Sequence, residues 1–376
     1  MGIESTKINI LNLNDDVTDI ESRTTTLESE VNVIPTFTSS SLPPTAAGND
    51  GDQWFVYNDS NQIDHVLTRA GGSWKIVTGT TTATKVVARV PSASGASYFL
   101  SFDGLVWQTL SLPSSSTWRI AYGSNRFVAV NTDGTESLIS ENGITWTSHS
   151  IPNSQTVRYF IFAGGNFLAL SSTYSKLSTD GVTWTMGTNA ASRNWDAPAY
   201  NGSTYVAIIG GTQRKSQYST NGLVWTQRSI PVFGANPYYA TAWGAGRFVS
   251  VGNSREVTIS TDGITWTHTT APYGTYTSYW FDIIFANNKF VMVAGSYPYR
   301  TRVGVSTNGI TWTDSTLPFA ADWRKIIWFN NQYYVYGQGL SYPVVPSSTD
   351  GITWTMNTMS ASISAFNVEF GTVSYV

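Results

Sequence analysis

Apolar residues recur along this chain in two rhythms, and the change of rhythm divides it. Over the first 34 residues, Ile3, Ile10, Val17, Thr24 and Val31 recur at every seventh position, and Leu13, Ile20, Leu27 and Ile34 keep the same period three positions later. A heptad seam of this kind, stopped by Pro35, predicts a coiled-coil helix over 1–34. At ~1.5 Å per residue it would reach roughly 48 Å. So narrow a stripe leaves a lone helix marginal in water, so it implies self-association. β-branched residues at one seam position and mixed Leu and Ile at the other lean to a homotrimer formed through residues 3–34.

Beyond Pro35 the period shortens to that of strands. WFVYN (54–58), HVLTR (65–69) and SWKIV (73–77) are separated by Gly, Asn and Asp turns. They predict a small antiparallel β module over 35–79, too short to bury a good core by itself. Its segment SLPPTAAGNDGDQWFVYND (41–59) resembles stalk modules of phage tail proteins.

From residue 80 onward one heptapeptide, Ser-x-Asp/Asn-Gly-x-x-Trp, occurs seven times, ending at Trp107, Trp146, Trp184, Trp225, Trp266, Trp312 and Trp354. Successive tryptophans stand 39, 38, 41, 41, 46 and 42 residues apart. A period near forty built of short strands is the signature of propeller blades, each a four-stranded sheet. Asp-Gly and Asn-Gly are strong hairpin signals, so the motif is read as a type I′ turn between third and fourth strands. The turn residues are Asp103, Asn142, Asp180, Asn221, Asp262, Asn308 and Asp350. Because Asn replaces Asp in three copies, the motif requires turn geometry rather than a carboxylate. Upstream of the copies stand strands such as RFVAV (126–130) and QYYVY (332–336). The chain ends on FNVEF (366–370) and TVSYV (372–376) with no motif after them, while the first motif lacks an upstream pair. Residues 80–376 are therefore expected to form a seven-bladed β-propeller whose closing blade combines both chain ends. The fold class expected overall is mainly β, with the small module and the coiled-coil helix preceding the propeller.

The repeats resemble the Asp-box, or bacterial neuraminidase repeat, family of propellers, with one residue fewer between the Asp and the Gly. The resemblance covers residues 84–376. It implies boxes on the face opposite a ligand site, and it admits sialidases, other glycosidases and non-catalytic binders, so it leaves function open.

Composition narrows that choice. The chain has no Cys, which removes disulfides and thiol chemistry. Aromatic residues make up 14% and charged residues only 12%, as in all-β proteins with Ser, Thr and Asn surfaces. Residues 1–34 hold Lys7 and Arg23 against seven acids, a balance of −5 that leaves +2 on the rest of a chain whose net charge is −3. The nearly neutral remainder has no clustered basic footprint for nucleic acid. The N-terminus has no basic-then-apolar leader and no stretch is long enough to span a bilayer, so neither secretion by a leader nor membrane insertion is expected. His65, His149 and His268 lie apart without companion ligands, so no metal and no cofactor is expected. The acids Glu141, Asp196, Glu256, Asp282, Asp314, Asp322 and Glu369 are scattered, and no catalytic residue is assigned.

Aromatic and arginine residues do gather in the variable loops of the face opposite the turns. Aromatic planes suit sugar rings and arginine forks suit carboxylate or phosphate. The candidate glycan site is Trp195, Arg214, Tyr239, Trp280, Tyr299, Arg300, Arg302 and Trp323, with the YPYRTR insertion (297–302) its foremost part. A self-associating stalk, a collar and a terminal propeller together lead to the expectation of a non-enzymatic bacteriophage fibre or receptor-binding protein, located in the virion. Its expected partners are its own copies, virion proteins at the N-terminal end and a host cell-surface glycan. The alternatives are a sialidase-like glycoside hydrolase and a bacterial lectin or adhesin.

Overall fold

In the computed structural model the described residues are eight short stretches of strand, at 36–38, 53–57, 63–70, 73–77, 82–89, 97–101, 108–112 and 367–374, and, with brief gaps, residues 116–359. The chain divides into two compact units, 1–83 with 374–376, and 84–373.

In the first unit Thr36–Thr38, Gln53–Tyr57, Ile63–Ala70 and Ser73–Val77 form one four-stranded sheet in that order. The module is not wholly antiparallel as expected: Thr36 pairs with Phe55 and Thr38 with Tyr57 in parallel, the remaining pairs being antiparallel. The connection between the first two strands is over a dozen residues long, which is what a parallel return requires.

In the second unit, residues 118–358 fold into six antiparallel sheets, each of four strands consecutive in the chain. Their innermost strands are Trp118–Gly123, Tyr159–Ala163, Asp196–Tyr200, Tyr238–Gly244, Trp280–Ala286 and Asp322–Phe329, and each packs beside the next in this order. This is a β-propeller. The second strands are its core, being covered on both faces by neighbouring blades. They read as near-continuous apolar runs, such as Phe127–Val130 and Phe290–Ala294, all but inaccessible to solvent. The outermost strands, such as Thr185–Thr188 and Thr355–Thr358, are Thr-rich and largely exposed.

The expected fold is corrected in two further respects. Six blades, not seven, are built from consecutive strands with described turns and side chains. The strands assigned to a seventh make a four-stranded sheet from both chain ends, in the order Asn367–Ser374, Thr82–Arg89, Ser97–Ser101, Gln108–Ser111. The turn at Asp103 and Trp107, which would make that sheet equivalent to the others, lies outside the described residues. Every element among the described residues is a strand, and residues 1–34, expected to be a coiled-coil helix, lie outside them.

The motif turns hold their shape differently from the expected type I′ geometry. Only the glycine has positive φ, +79° at Gly181 and +75° at Gly263, whereas the preceding Asp does not. Instead the side chain builds the corner. Asp180 Oδ1 accepts hydrogen bonds from the backbone N–H of Val182 and Thr183, both 2.8 Å, and from the Ser178 hydroxyl at 2.9 Å. Asn221 and Asn308 do the same with an amide oxygen, at 2.9–3.0 Å to the corresponding N–H groups. Asp262 and Asp350 repeat the pattern, while Asn142 lies outside the described residues. Trp184, Trp225 and Trp354 each donate their indole N–H to the carbonyl of the motif glycine, which anchors the ring against the preceding blade. Paired positive φ values occur in the hairpin between first and second strands, at Ser124-Asn125, Asn287-Asn288 and Asn330-Asn331.

Candidate functional site

The six innermost strands line a central cavity of about 800 Å³. Each of them runs away from the face opposite the motif turns, so its first residues stand at the mouth of the cavity on that face. There the strand register breaks. A bulge shifts the pairing between Asp196 and Ala199, Tyr238 and Ala240, Trp280 and Asp282, and Trp323 and Lys325. A bulge adds one residue to one strand and re-aims the side chain there.

In three consecutive blades the added residues are Tyr239, Phe281 and Arg324, and they form one continuous stack. The rings of Tyr239 and Phe281 are stacked with centroids 5.1 Å apart, and the Arg324 guanidinium lies 3.7 Å from the Phe281 centroid. Tyr279 stacks on Phe281 at 6.3 Å. Burial pushes the Tyr239 phenol above its ordinary pKa, with Tyr279 adding to the shift and Arg324 opposing it. At corresponding positions of the first two blades Arg119 lies over the Tyr159 ring at 5.8 Å and donates to Val157 O at 3.0 Å. Between these two groups the described side chains of the third blade are Ala197 and Pro198.

Two ion pairs lie beside the stack. Arg324 meets Asp322 at 2.6 Å, both side chains about a quarter exposed. Asp282 Oδ2 meets the Lys325 ammonium at 3.3 Å and accepts from the Ile326 N–H at 3.0 Å. Burial pushes the Asp282 carboxyl up against the lowering influence of Lys325 and the backbone donors. At the opposite end of the cavity the lining is aromatic, with Tyr122, Phe162, Trp243, Phe285 and Trp328. Each of these rings pairs across its own hairpin with an aromatic of the second strand at 4.5–4.8 Å. Among the described residues no group of three or more His, Cys, Asp or Glu stands ready to hold a metal ion.

Of the site expected from the sequence, Tyr239 alone lies in this cluster. Trp195, Trp280 and Trp323 are corrected from ligand contacts to core: each is 0% exposed, wedged between blades. The Trp195 and Trp323 indoles donate to Ala191 O and Phe319 O, at 3.0 and 3.1 Å. Arg214 and Arg302 are half-buried beside or at the start of third strands, two strands out from the cavity, in the third and fifth blades. The structure does not bring them together with Tyr239. Tyr299 and Arg300 lie outside the described residues. Sequence reasoning missed Phe281, Lys325 and Arg119 and left Asp282 and Asp322 unpaired. A legible signal was present in the dipeptides Trp118-Arg119, Tyr238-Tyr239, Trp280-Phe281 and Trp323-Arg324, whose first member is buried and whose second faces the mouth.

No family model matches the chain, and no curated protein matches it. Solved structures do. A catalytically inactive variant of virginiamycin B lyase from Staphylococcus aureus with quinupristin superposes with TM-score 0.58 at 10% identity, over 77% of this chain and 97% of that one. The selenomethionine form of the same lyase gives 0.54 at 12% identity, over 65% and 85%. YCF48 bound to a D1 peptide gives 0.53 at 14% identity, over 80% and 90%. At these identities the likeness is one of fold, and it places the chain among β-propellers with repeated blades.

Proposed function

We propose that this chain is a non-enzymatic receptor-binding protein of a bacteriophage fibre, carried in the virion, whose propeller attaches it to a host cell-surface glycan. The observation that carries the reading is the stack of Tyr239, Phe281 and Arg324 at the cavity mouth, on the face opposite the motif turns. Aromatic planes beside fixed polar groups are what a sugar ring requires. The Asp-box resemblance of the repeats supports the same face. The heptad pattern of residues 3–34 supports self-association, and several linked copies raise avidity when each site is weak. A binding role suits the acids at the mouth better than hydrolysis, because Asp322 and Asp282 are each held by a cation.

The test is adsorption of the fluorescently labelled full chain to a panel of bacterial strains, with and without periodate oxidation of surface sugars. Binding to particular strains that periodate abolishes is expected. Undiminished binding to the oxidised cells would exclude a glycan receptor.

A further inference from the structure

The charges at the mouth say which kind of sugar it takes, an inference that rests on the glycan-binding reading above. Clustered arginines suggest an acidic ligand, but here the two cations nearest the stack are already answered. Asp322 sits 2.6 Å from Arg324 and Asp282 sits 3.3 Å from Lys325. Arg119 is engaged with the Val157 carbonyl and the Tyr159 ring. A ligand carboxylate or phosphate approaching Arg324 would meet the Asp322 carboxylate at the same distance, and like charges that close repel. The net field offers an anion little.

A neutral sugar meets the opposite situation. The Asp322–Arg324 pair presents an acceptor and a donor side by side, each side chain about a quarter exposed; Asp322 Oδ1 and Arg324 Nε are turned inward, which leaves Oδ2 and the terminal guanidinium nitrogens as the groups a ligand can meet. Two adjacent hydroxyls of a pyranose match that pair, one donating to the carboxylate and the other accepting from the guanidinium. Arg324 is held flat against Phe281, so little side-chain freedom is lost on binding. At the other end of the stack the Tyr239 ring borders a blade whose described side chains at the same level are Ala197 and Pro198. An apolar sugar face fits beside it. The ion pair and Tyr239 stand on either side of Phe281, so they accept neighbouring sugar units rather than one. We propose that the mouth binds a neutral oligosaccharide, with one unit's vicinal hydroxyls on Asp322 and Arg324 and the next unit's ring face on Tyr239.

An array of neutral, sialylated and uronate-containing glycans, probed with the full chain and its D322A and Y239A variants, tests this directly. Thermal melting of each variant confirms that it folds. The parent is expected to bind neutral glycans of two or more units and to leave the acidic ones. Both substitutions should lower neutral binding about tenfold or more, as loss of a hydrogen bond to a charged group or of a stacking platform implies. D322A should also admit acidic glycans, because Arg324 loses its counter-charge. Preference of the parent for acidic glycans, or neutral binding untouched by D322A, would overturn the proposal and leave the attachment reading standing. No binding on any part of the array by a chain that still adsorbs to periodate-treated cells would overturn both.

Discussion

Gly263 approaches the preceding blade so closely that a methyl group on it would lie 2.5 Å from a Val206 side-chain carbon. The residue also has φ of +75°, a left-handed conformation that side chains resist. Both constraints come from the motif turn, which must reach over the neighbouring second strand before the chain folds back to Trp266. Gly263→Ala should therefore destabilise the propeller by ~2–4 kcal/mol, backbone strain and overpacking acting together. Gly246 has φ of +73° with nothing within 4 Å, so Gly246→Ala should cost only about 1–2 kcal/mol. Denaturant unfolding of the two variants separates the terms, and equal losses would mean that the contact with Val206 adds nothing.

A second expectation concerns acid. Partial burial raises the carboxyls of Asp180, Asp262 and Asp350, but the backbone and serine hydrogen bonds outweigh it and hold all three below the ordinary value of 3.8. A depressed folded pKa contributes stability that is present above the unfolded value and is lost as pH falls through the folded one. Asn221 and Asn308 make the same backbone bonds without a titrating group. The triple variant D180N/D262N/D350N should thus match the parent's melting temperature near pH 6 and lose less of it below pH 4. Parallel acid profiles for the two proteins would show that these turns do not titrate with folding.

The blades were legible because each copy must solve one local problem, turning a chain between two blades, and the solution is written in seven adjacent residues. What the motif did not reveal is how the corner is made. Asp-Gly and Asn-Gly are compatible with two positive φ values, and only side-chain hydrogen bonds seen in three dimensions separate that geometry from the one adopted. The binding mouth was hidden for a different reason. Tyr239, Phe281 and Arg324 belong to separate repeats and meet only because bulges fall at the same place in adjacent blades. The tryptophans beside them, Trp280 and Trp323, look more like sugar platforms by composition. Alternation along the strand sends them to the core instead.

The 2% exposed Lys176 supplies a third expectation. Its ammonium nitrogen donates to Gly134 O at 2.6 Å and Asn153 O at 2.5 Å, joining the second blade to a loop of the first and to the connection between the two. Burial lowers its pKa from 10.5 to about 8, and a neutral amine still has the two hydrogens these carbonyls require. Between pH 8 and 10.5 the unfolded chain holds a proton that the folded one has released, so this residue makes stability rise with pH across that interval. Lys176→Met should abolish the rise while lowering stability at pH 7, since two buried carbonyls lose their donor. An alkaline profile identical to the parent's would place the titration elsewhere.

At still higher pH a tyrosine should reverse the trend. Tyr333 donates its hydroxyl to Ala286 O at 2.5 Å, tying the sixth blade to the hairpin of the fifth, and its ring is fully buried. Burial, reinforced by the nearby Asp350 charge, pushes the phenol up to about 12 from 10. A folded pKa raised above the unfolded value contributes stability that is complete below pH 10 and is lost as pH climbs toward 12. Ionisation would also turn the donor into an acceptor facing a carbonyl. The parent should consequently pass through a stability maximum near pH 10, with Lys176 shaping the rising side and Tyr333 the falling side. Tyr333→Phe removes the phenol and leaves Ala286 O without its donor, so it should start about 1–2 kcal/mol less stable at neutral pH. Its decline between pH 10 and 12 should be shallower than the parent's. Burial also pushes up Tyr122, Tyr205 and Tyr239, so spectrophotometric titration supplies the independent check by amplitude: the late-ionising component of the folded parent should shrink by one tyrosine, at its end nearest pH 12, in the Phe variant. If that component keeps its full amplitude, the fall in stability above pH 10 belongs to another residue and the Tyr333–Ala286 contact is not its cause.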